Sequence, residues 1–153
     1  MTTKTIKIID KNSLVIKKFT SAKEMEQAFP LVQQMYANMN FETYCEYVSE
    51  MIAANNFCMI GVFAEEKLVG VCGYWVLLML YCGRYIQASN LVVDRNVRGL
   101  GVGKLILNYL EEIGRKNNCH KIVLDSYTEN KKSHSLYYRE GFHIRGFHFM
   151  KSL

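Results

Sequence analysis

The sequence contains little proline and no long apolar segment. One of its 153 residues is Pro, and the longest stretch without a charged residue, 68–83, is shorter than the roughly 18 residues typical of a transmembrane helix. The first 19 residues have no continuous apolar core, so they do not resemble a signal peptide. Eight Phe and ten Tyr exclude the composition of a disordered chain. We therefore predict a single globular domain over residues 1–153 that does not associate with membranes.

The cysteine, histidine and basic residues give no sign of a disulfide framework, a metal site or a nucleic-acid site. The five Cys are an odd number without a C-x-x-C pair, so we predict reduced thiols and a cytoplasmic protein. The four His have no metal-ligand spacing with them, and we predict no metal. The net charge of +5 includes no long basic run. It predicts a solvated basic surface, not nucleic-acid binding, and it also suits a polyanionic small ligand.

The apolar periodicity predicts an α/β (α+β) fold with one mixed sheet. Strands are predicted at 14–19, 57–64, 68–80, 85–93, 121–126 and 142–151. Helices are predicted at 21–39, 42–54, 102–116 and 133–140. Ser21 and Glu24 have the spacing of a capping box, and Pro30 predicts a kink in the first helix.

Three alternate glycines lie between the strand that ends at Val93 and the helix that begins at Val102. This turn reads Arg98-Gly99-Leu100-Gly101-Val102-Gly103-Lys104. A helix start carries unpartnered N–H groups and a partial positive charge, and glycine lets the backbone approach a ligand closely. The turn therefore predicts a phosphate cradle, with Arg98 and Lys104 able to add charged contacts. Its spacing fits neither the Walker nor the Rossmann pattern.

Two sequence blocks resemble one enzyme family. Arg98-x-x-Gly101-x-Gly103, preceded by Leu91-Val92-Val93, is similar to the acetyl-CoA signature R/Q-x-x-G-x-G/A of the GNAT superfamily of N-acetyltransferases. Residues 130–142 match that family's pattern N-x-x-A-x-x-F-Y-x-x-x-G-F, with Ser133 in the Ala position. The blocks stand in the family's order, and the resemblance covers residues 85–149. Residues 133–149 are also similar to a bacterial subgroup that includes aminoalkylphosphonate N-acetyltransferases.

This resemblance implies a single, mostly antiparallel mixed sheet with helices on both faces. It implies an acyltransferase that moves acetyl from acetyl-CoA to a primary amine of a small molecule or peptide, by direct attack in a ternary complex. The main chain of the strand end would pair with the pantetheine arm, the glycine turn would hold the pyrophosphate, and Asn130 and Ser133 would contact the arm. These expected acetyl-CoA-binding residues are Leu91, Val92, Val93, Arg98, Gly99, Leu100, Gly101, Val102, Gly103, Lys104, Asn130 and Ser133. Asn130 could also cap the helix that follows it.

Tyr137 matches the family's general acid, which protonates the departing CoA thiolate. A phenol can do this within hydrogen-bond reach, although a Tyr on a short amphipathic helix can also serve only in packing. The resemblance supplies no general base, because the strand at 85–93 lacks a carboxylate. Deprotonation would run through water held by Gln87, Ser89 or Asn90, or use a carboxylate from elsewhere. We interpret His134 as structural.

The acceptor and the oligomeric state stay open in the sequence. The N-terminal helices and the hairpin would form the acceptor pocket. Its aromatic candidates, which could equally be ordinary core, are Tyr36, Tyr44, Tyr74, Trp75 and Tyr81. The alternative to an enzyme is a non-catalytic acyl-CoA-binding sensor or interaction module on the same fold. Relatives in the family are often dimers, so the resemblance offers a homodimer as one oligomeric state.

Overall fold

The computed structural model describes residues 13–153 of the chain. Its strands are β1 (Leu14–Lys18), β2 (Phe57–Ala64), β3 (Lys67–Met79), β4 (Gly83–Val93) and β5 (Lys121–Leu124). Its helices are α1 (Ala22–Glu26), α2 (Phe29–Val32), α3 (Phe41–Ala53), α4 (Val102–Lys116) and α5 (Lys131–Arg139), with a 3₁₀ turn at Arg95–Val97. No helix within residues 13–153 is long and apolar enough to cross a membrane.

The strands form one sheet in the order β1-β2-β3-β4-β5. The first three strand pairs are antiparallel, and β4 pairs with β5 in parallel. A parallel pair needs a long crossover, and α4 supplies it between β4 and β5. The prediction of a single mixed, mostly antiparallel sheet is therefore confirmed.

Apolar side chains fill both faces of this sheet. One buried cluster joins α1, α2 and α3 to the sheet through residues such as Met25, Val32 and Val48. The other joins α4 to the opposite face, where Ile106 and Leu110 have no exposed surface. The periodic apolar face of α4 thus packs as its sequence predicts, because residues three and four apart lie on one side of a helix.

The first predicted helix is wrong in its length. Residues 21–39 form the two short helices α1 and α2 instead of one kinked helix. Ser21 caps α1 as expected, since its side chain accepts a hydrogen bond from the Glu24 main-chain nitrogen at 3.2 Å. Pro30 lies in the first turn of α2, where its missing N–H costs no helical hydrogen bond. The proline therefore begins a new helix there.

The predicted closing strand at 142–151 is also wrong, because these residues form no strand. Their apolar alternation changes phase at Gly146: Phe142 and Ile144 precede it, and Phe147 and Phe149 follow it. A shift of one residue moves the apolar set to the other face of a strand, so no single strand can bury all four. We call residues 142–153 the C-terminal tail; most of its large apolar side chains are exposed.

Candidate active site

An opening in the sheet between β4 and β5 defines the candidate site. The strands pair only from Tyr85–Lys121 to Ala88–Leu124, whereas β4 continues to Val93 in contact with β3. The register of β3 against β4 shifts near Asn90, whose backbone is left-handed (φ 54°). Such a bulge bends a strand. The main chain of residues 89–93 thus borders an opening that an extended, peptide-like ligand can fill by adding to the strand edge.

The predicted strand-end residues line this opening through their backbone, while their side chains belong to the core. Val92 is buried among the α1–α3 cluster, and Leu91 and Val93 pack against the α4 cluster. The carbonyl of Val93 accepts a hydrogen bond from Arg98 Nε at 3.3 Å. This contact ties Arg98 to the end of β4, next to the glycine turn.

The glycine turn presents an open backbone at the start of α4. Gly99 (φ 85°) and Gly101 (φ 89°) have left-handed conformations, and a Cβ atom built on either would meet nothing within 4 Å. Leu100 packs against the α4 cluster and fixes the turn to the protein. The first N–H groups of an α-helix have no intrahelical acceptor, so those of Val102 and its neighbours suit a phosphate group. The residues therefore fit the pyrophosphate of CoA.

Gly103 and Lys104 join α4 to α5. A Cβ atom on Gly103 would lie 2.8 Å from Leu136 Cδ2, so a larger residue here would force the Leu136 side chain to move. Lys104 Nζ lies 3.5 Å from Glu140 Oε1 at the end of α5. These two residues of the predicted cradle thus also position the helix that carries Tyr137.

Tyr137 lies in α5, within electrostatic range of Cys72 in β3. Its ring is half-buried and packs against Phe142 at a centroid distance of 5.9 Å. Burial raises the pKa of the phenol, the nearby Cys72 raises the pKa further, and a hydrogen bond with Ser133 partly opposes this rise. A phenol with a raised pKa stays protonated at neutral pH and can donate its proton.

Cys72 shows which part of β4 lies near Tyr137. Its buried Sγ atom lies 3.7 Å from the Ser89 carbonyl oxygen, to which the thiol donates. Ser89 is the first β4 residue beyond the pairing with β5. Tyr137 therefore lies near the narrow end of the opening, while the glycine turn lies at its wide end.

The other predicted α5 residues are placed as follows. Asn130 is the N-cap residue of α5, as the alternative role predicted; its main-chain carbonyl accepts a hydrogen bond from the His134 nitrogen at 3.1 Å, but its side chain makes no capping hydrogen bond. Ser133 interacts with Tyr137. An imidazole nitrogen of His134 bonds the Tyr127 carbonyl at 2.9 Å, which agrees with a structural role for His134.

Only part of the predicted acceptor pocket lies near this opening. Tyr44 and Tyr74 are buried in the two cores, so for these two residues the structure agrees with the core alternative. The Tyr36 hydroxyl donates to Asn90 Oδ1 at 2.8 Å, beside the bulge of β4. A groove of about 420 Å³ next to Tyr36 is lined by Met35, Tyr36, Ala37, Asn38, Met39, Asn40, Thr43 and Tyr47. Trp75 packs against Phe57, and Tyr81 is exposed at the β3–β4 turn.

Sequence reasoning missed a polar chain at the narrow end of the opening. Gln87 Nε2 donates to Asp125 Oδ2 at 3.2 Å, and His148 Nδ1 lies 3.4 Å from Asp125 Oδ1. The available signal was that Asp125 lies within the strand predicted at 121–126, which the resemblance places beside β4. The contact of Asp125 with the tail could not be inferred, since 23 residues separate it from His148.

Comparisons with known proteins relate this chain to N-acetyltransferases. The model of the acetyltransferase (GNAT) family matches residues 22–142. The chain is 23% identical over 137 residues to the uncharacterized N-acetyltransferase YhdJ of Bacillus subtilis (strain 168), covering 89% of this chain and 96% of the relative. It is 32% identical over 92 residues to glucosamine 6-phosphate N-acetyltransferase 1 of Dictyostelium discoideum, covering 60% of this chain and 52% of that protein.

The fold is similar to that of the aminoglycoside N-acetyltransferase AAC(6′)-Iy in complex with CoA. The TM-score is 0.78 at 16% identity, with 92% of this chain and 95% of that structure covered. These relatives do not support the predicted similarity to the aminoalkylphosphonate subgroup. Because the family model covers most of the chain and the fold agrees, the protein belongs to the acetyltransferase (GNAT) family.

Proposed function

We propose that the protein transfers the acetyl group of acetyl-CoA to a primary amine of a small molecule or peptide, by direct attack in a ternary complex. The observation that carries this proposal is the opening between β4 and β5, which has the glycine turn at one end and Tyr137 near the other. The turn and the strand edge bind the two parts of CoA, and Tyr137 donates a proton to the thiolate that leaves.

The names of the relatives indicate which acceptor amines to test first. One relative is named for glucosamine 6-phosphate, and the protein of similar fold is named for aminoglycosides. Both are amino sugars, so a primary amine on a polar ring is the acceptor class with which to begin. The half-buried Tyr36 and the groove beside it offer hydroxyl, amide and aromatic groups for such a molecule.

An amine panel tests the proposal. The protein is incubated with acetyl-CoA and glucosamine 6-phosphate, an aminoglycoside, a polyamine, an amino acid or a short peptide, and the release of CoA thiol is recorded. We expect thiol release that depends on one amine class, with the acetylated amine detected by mass spectrometry. Tight binding of acetyl-CoA without release for any amine would instead support the non-catalytic sensor.

A further inference from the structure

We propose that His148 accepts the proton of the acceptor amine and that Asp125 is its positioning residue. This inference rests on the proposed function, because it names the base for that same reaction. It also gives the C-terminal tail a role, since His148 lies in the tail. Asp125 and His148 reach the site from different parts of the chain, one after β5 and one from the tail.

The carboxylate of Asp125 is held from two sides. Asp125 follows Leu124, whose partner in the sheet is Ala88, so it stands where β4 and β5 part. Gln87 Nε2 donates to one carboxylate oxygen at 3.2 Å, and the other oxygen lies 3.4 Å from His148 Nδ1. The three side chains therefore form one hydrogen-bonded chain from β4 to the tail.

This chain selects the tautomer of His148. An ionised carboxylate only accepts hydrogen bonds, so Nδ1 carries the proton that faces Asp125. Nε2 then has a free lone pair and can accept a proton, as in other pairs in which a carboxylate orients an imidazole. The His148 side chain is 65% exposed, so an amine in solution can reach it.

The length of the opening places the reacting thioester near this pair. If the pyrophosphate lies at the glycine turn beside Val93, the pantetheine arm runs back along β4 toward Ala88. At ~3.3 Å per residue these five steps span about 17 Å, which is close to the length of an extended pantetheine arm. Tyr137 lies within electrostatic range of Cys72, whose thiol donates to the Ser89 carbonyl at this end of the opening. The general acid and the proposed base thus lie near one end of the opening.

Two other titratable side chains face Asp125. Burial raises the pKa of Tyr85, and the charges of Cys82 and Asp125 raise it further. For Tyr81, a hydrogen bond with Cys82 is the first cause of a raised pKa, followed by burial. Both phenols are protonated at neutral pH, so within this group the imidazole is the side chain suited to accept a proton.

The proton balance is as follows. The ammonium form of the acceptor gives one proton to His148 Nε2, which passes it to solvent. The neutral nitrogen forms the C–N bond with the acetyl carbon as the C–S bond breaks, and the electron pair leaves with sulfur. Tyr137 protonates this thiolate, and the phenolate regains a proton as the new amide nitrogen loses one. The net products are the amide, CoA thiol and one proton.

The test compares His148→Gln with His143→Gln, which changes the other histidine of the tail. For each variant kcat/KM is measured against pH with the best amine of the panel, and acetyl-CoA affinity is measured by calorimetry. We expect His148→Gln to lose about 10²-fold or more at pH 7, within the range of general-base effects. The loss should shrink toward pH ~10, where an alkyl amine deprotonates by itself. His143→Gln should keep the wild-type profile, and no variant should change acetyl-CoA affinity.

Asp125→Asn supplies the second arm. The amide that this variant introduces can donate to His148 Nδ1, which favours the tautomer that leaves no lone pair on Nε2. We therefore expect Asp125→Asn to lower kcat/KM at pH 7, with the same recovery of kcat/KM at high pH. A wild-type profile in His148→Gln would overturn this inference, as would a loss that is equal at every pH. If His148→Gln does not fold, the Asp125→Asn profile decides by the same criteria. A wild-type protein that acetylates no amine would overturn the proposed function itself, and this inference with it.

Discussion

The phenol of Tyr137 is the group whose removal most directly tests the chemistry. Tyr137→Phe keeps the ring that packs against Phe142 but removes the proton. Because that proton is needed mainly in the transition state, we expect kcat to fall by about 10²–10⁴-fold, with acetyl-CoA affinity nearly unchanged. The measurement is steady-state turnover with the best amine of the panel, together with calorimetric binding of acetyl-CoA.

Tyr138→Phe is the matched control. The neighbouring residue on a helix points about 100° away, and Tyr138 is 55% exposed. We expect full turnover in this variant. Equal losses at the two positions would indicate a packing defect in α5, and full turnover in Tyr137→Phe would return Tyr137 to a structural role.

The sequence contains enough information to distinguish these two tyrosines but not to find the proposed base. Tyr137 stands at a fixed distance from Asn130 and Gly141 within one continuous motif, and motif spacing along a chain is directly readable. Asp125 and His148 meet only because the tail returns to the end of β5. Their contact depends on tertiary folding, and the tail was predicted as a strand.

The periodicity of apolar residues predicted accurately those helices and strands that pair in the sheet or pack against the core. The bounds of β2 agree with the prediction, and α4 spans 102–116 as predicted. The predictions failed where local signals competed. Pro30 interrupts a helical pattern at 21–39, and Gly146 shifts a strand pattern at 142–151. A break of this kind changes which face is apolar, and propensity alone does not show how the chain resolves it.

The turn before α4 tests the CoA site through Gly101→Ala. Because this residue has a left-handed backbone, alanine here strains the backbone by roughly 1–2 kcal/mol. Its methyl group points into the open space of the turn, where it would obstruct a bound pyrophosphate. We expect the affinity for acetyl-CoA to fall tenfold or more, which corresponds to about 1.4 kcal/mol. Calorimetry on the folded variant measures this.

Gly141→Ala controls for backbone strain. Gly141 has φ 85° and equally open surroundings, but it lies at the end of α5. It should lose similar stability and keep its affinity for acetyl-CoA. Unchanged affinity in Gly101→Ala would contradict the cradle. Gly103 is not substituted in this test, because an added Cβ atom would contact Leu136 and so affect the packing of α4 against α5.

Asp94 holds the segment between β4 and the glycine turn. Burial acts to raise its pKa, but hydrogen bonds from Asn96 and the pair with Lys67 at 3.1 Å outweigh burial and lower the pKa. A lowered pKa in the folded state means that the stabilisation is present above pH ~4 and is lost as the pH falls through the folded-state pKa. Asp94→Ala should reduce the free energy of unfolding by about 1.5–3 kcal/mol at pH 7.

Urea unfolding at several pH values measures this effect. The difference between Asp94→Ala and wild type should shrink in acid. Glu111→Ala removes an exposed ion pair with Arg115 on α4 and should cost no more than about 0.5 kcal/mol. Equal losses in the two variants would show that the Asp94 contacts are no stronger than a surface pair.

The whole molecule places its thiols at different depths, and this predicts their order of reaction. All five cysteines are free; Cys72 and Cys82 are buried, and Cys45, Cys58 and Cys119 are partly exposed. Burial raises the pKa of Cys72 to about 12, although a hydrogen bond to the Ser89 backbone opposes this rise. A thiol reacts as its thiolate, so a raised pKa and burial both slow alkylation.

Labelling by iodoacetamide, followed by peptide mass spectrometry, measures each thiol separately. In the native protein we expect Cys72 to be labelled last, at the rate at which the sheet opens, because it lies in β3 with no exposed surface. After denaturation without reductant, five thiols should react. Labelling of Cys72 as fast as Cys45 would contradict the complete burial of Cys72 in β3. A mass that shows two disulfides would instead contradict the prediction of a reduced, cytoplasmic protein, since free thiols in that number persist in a reducing compartment.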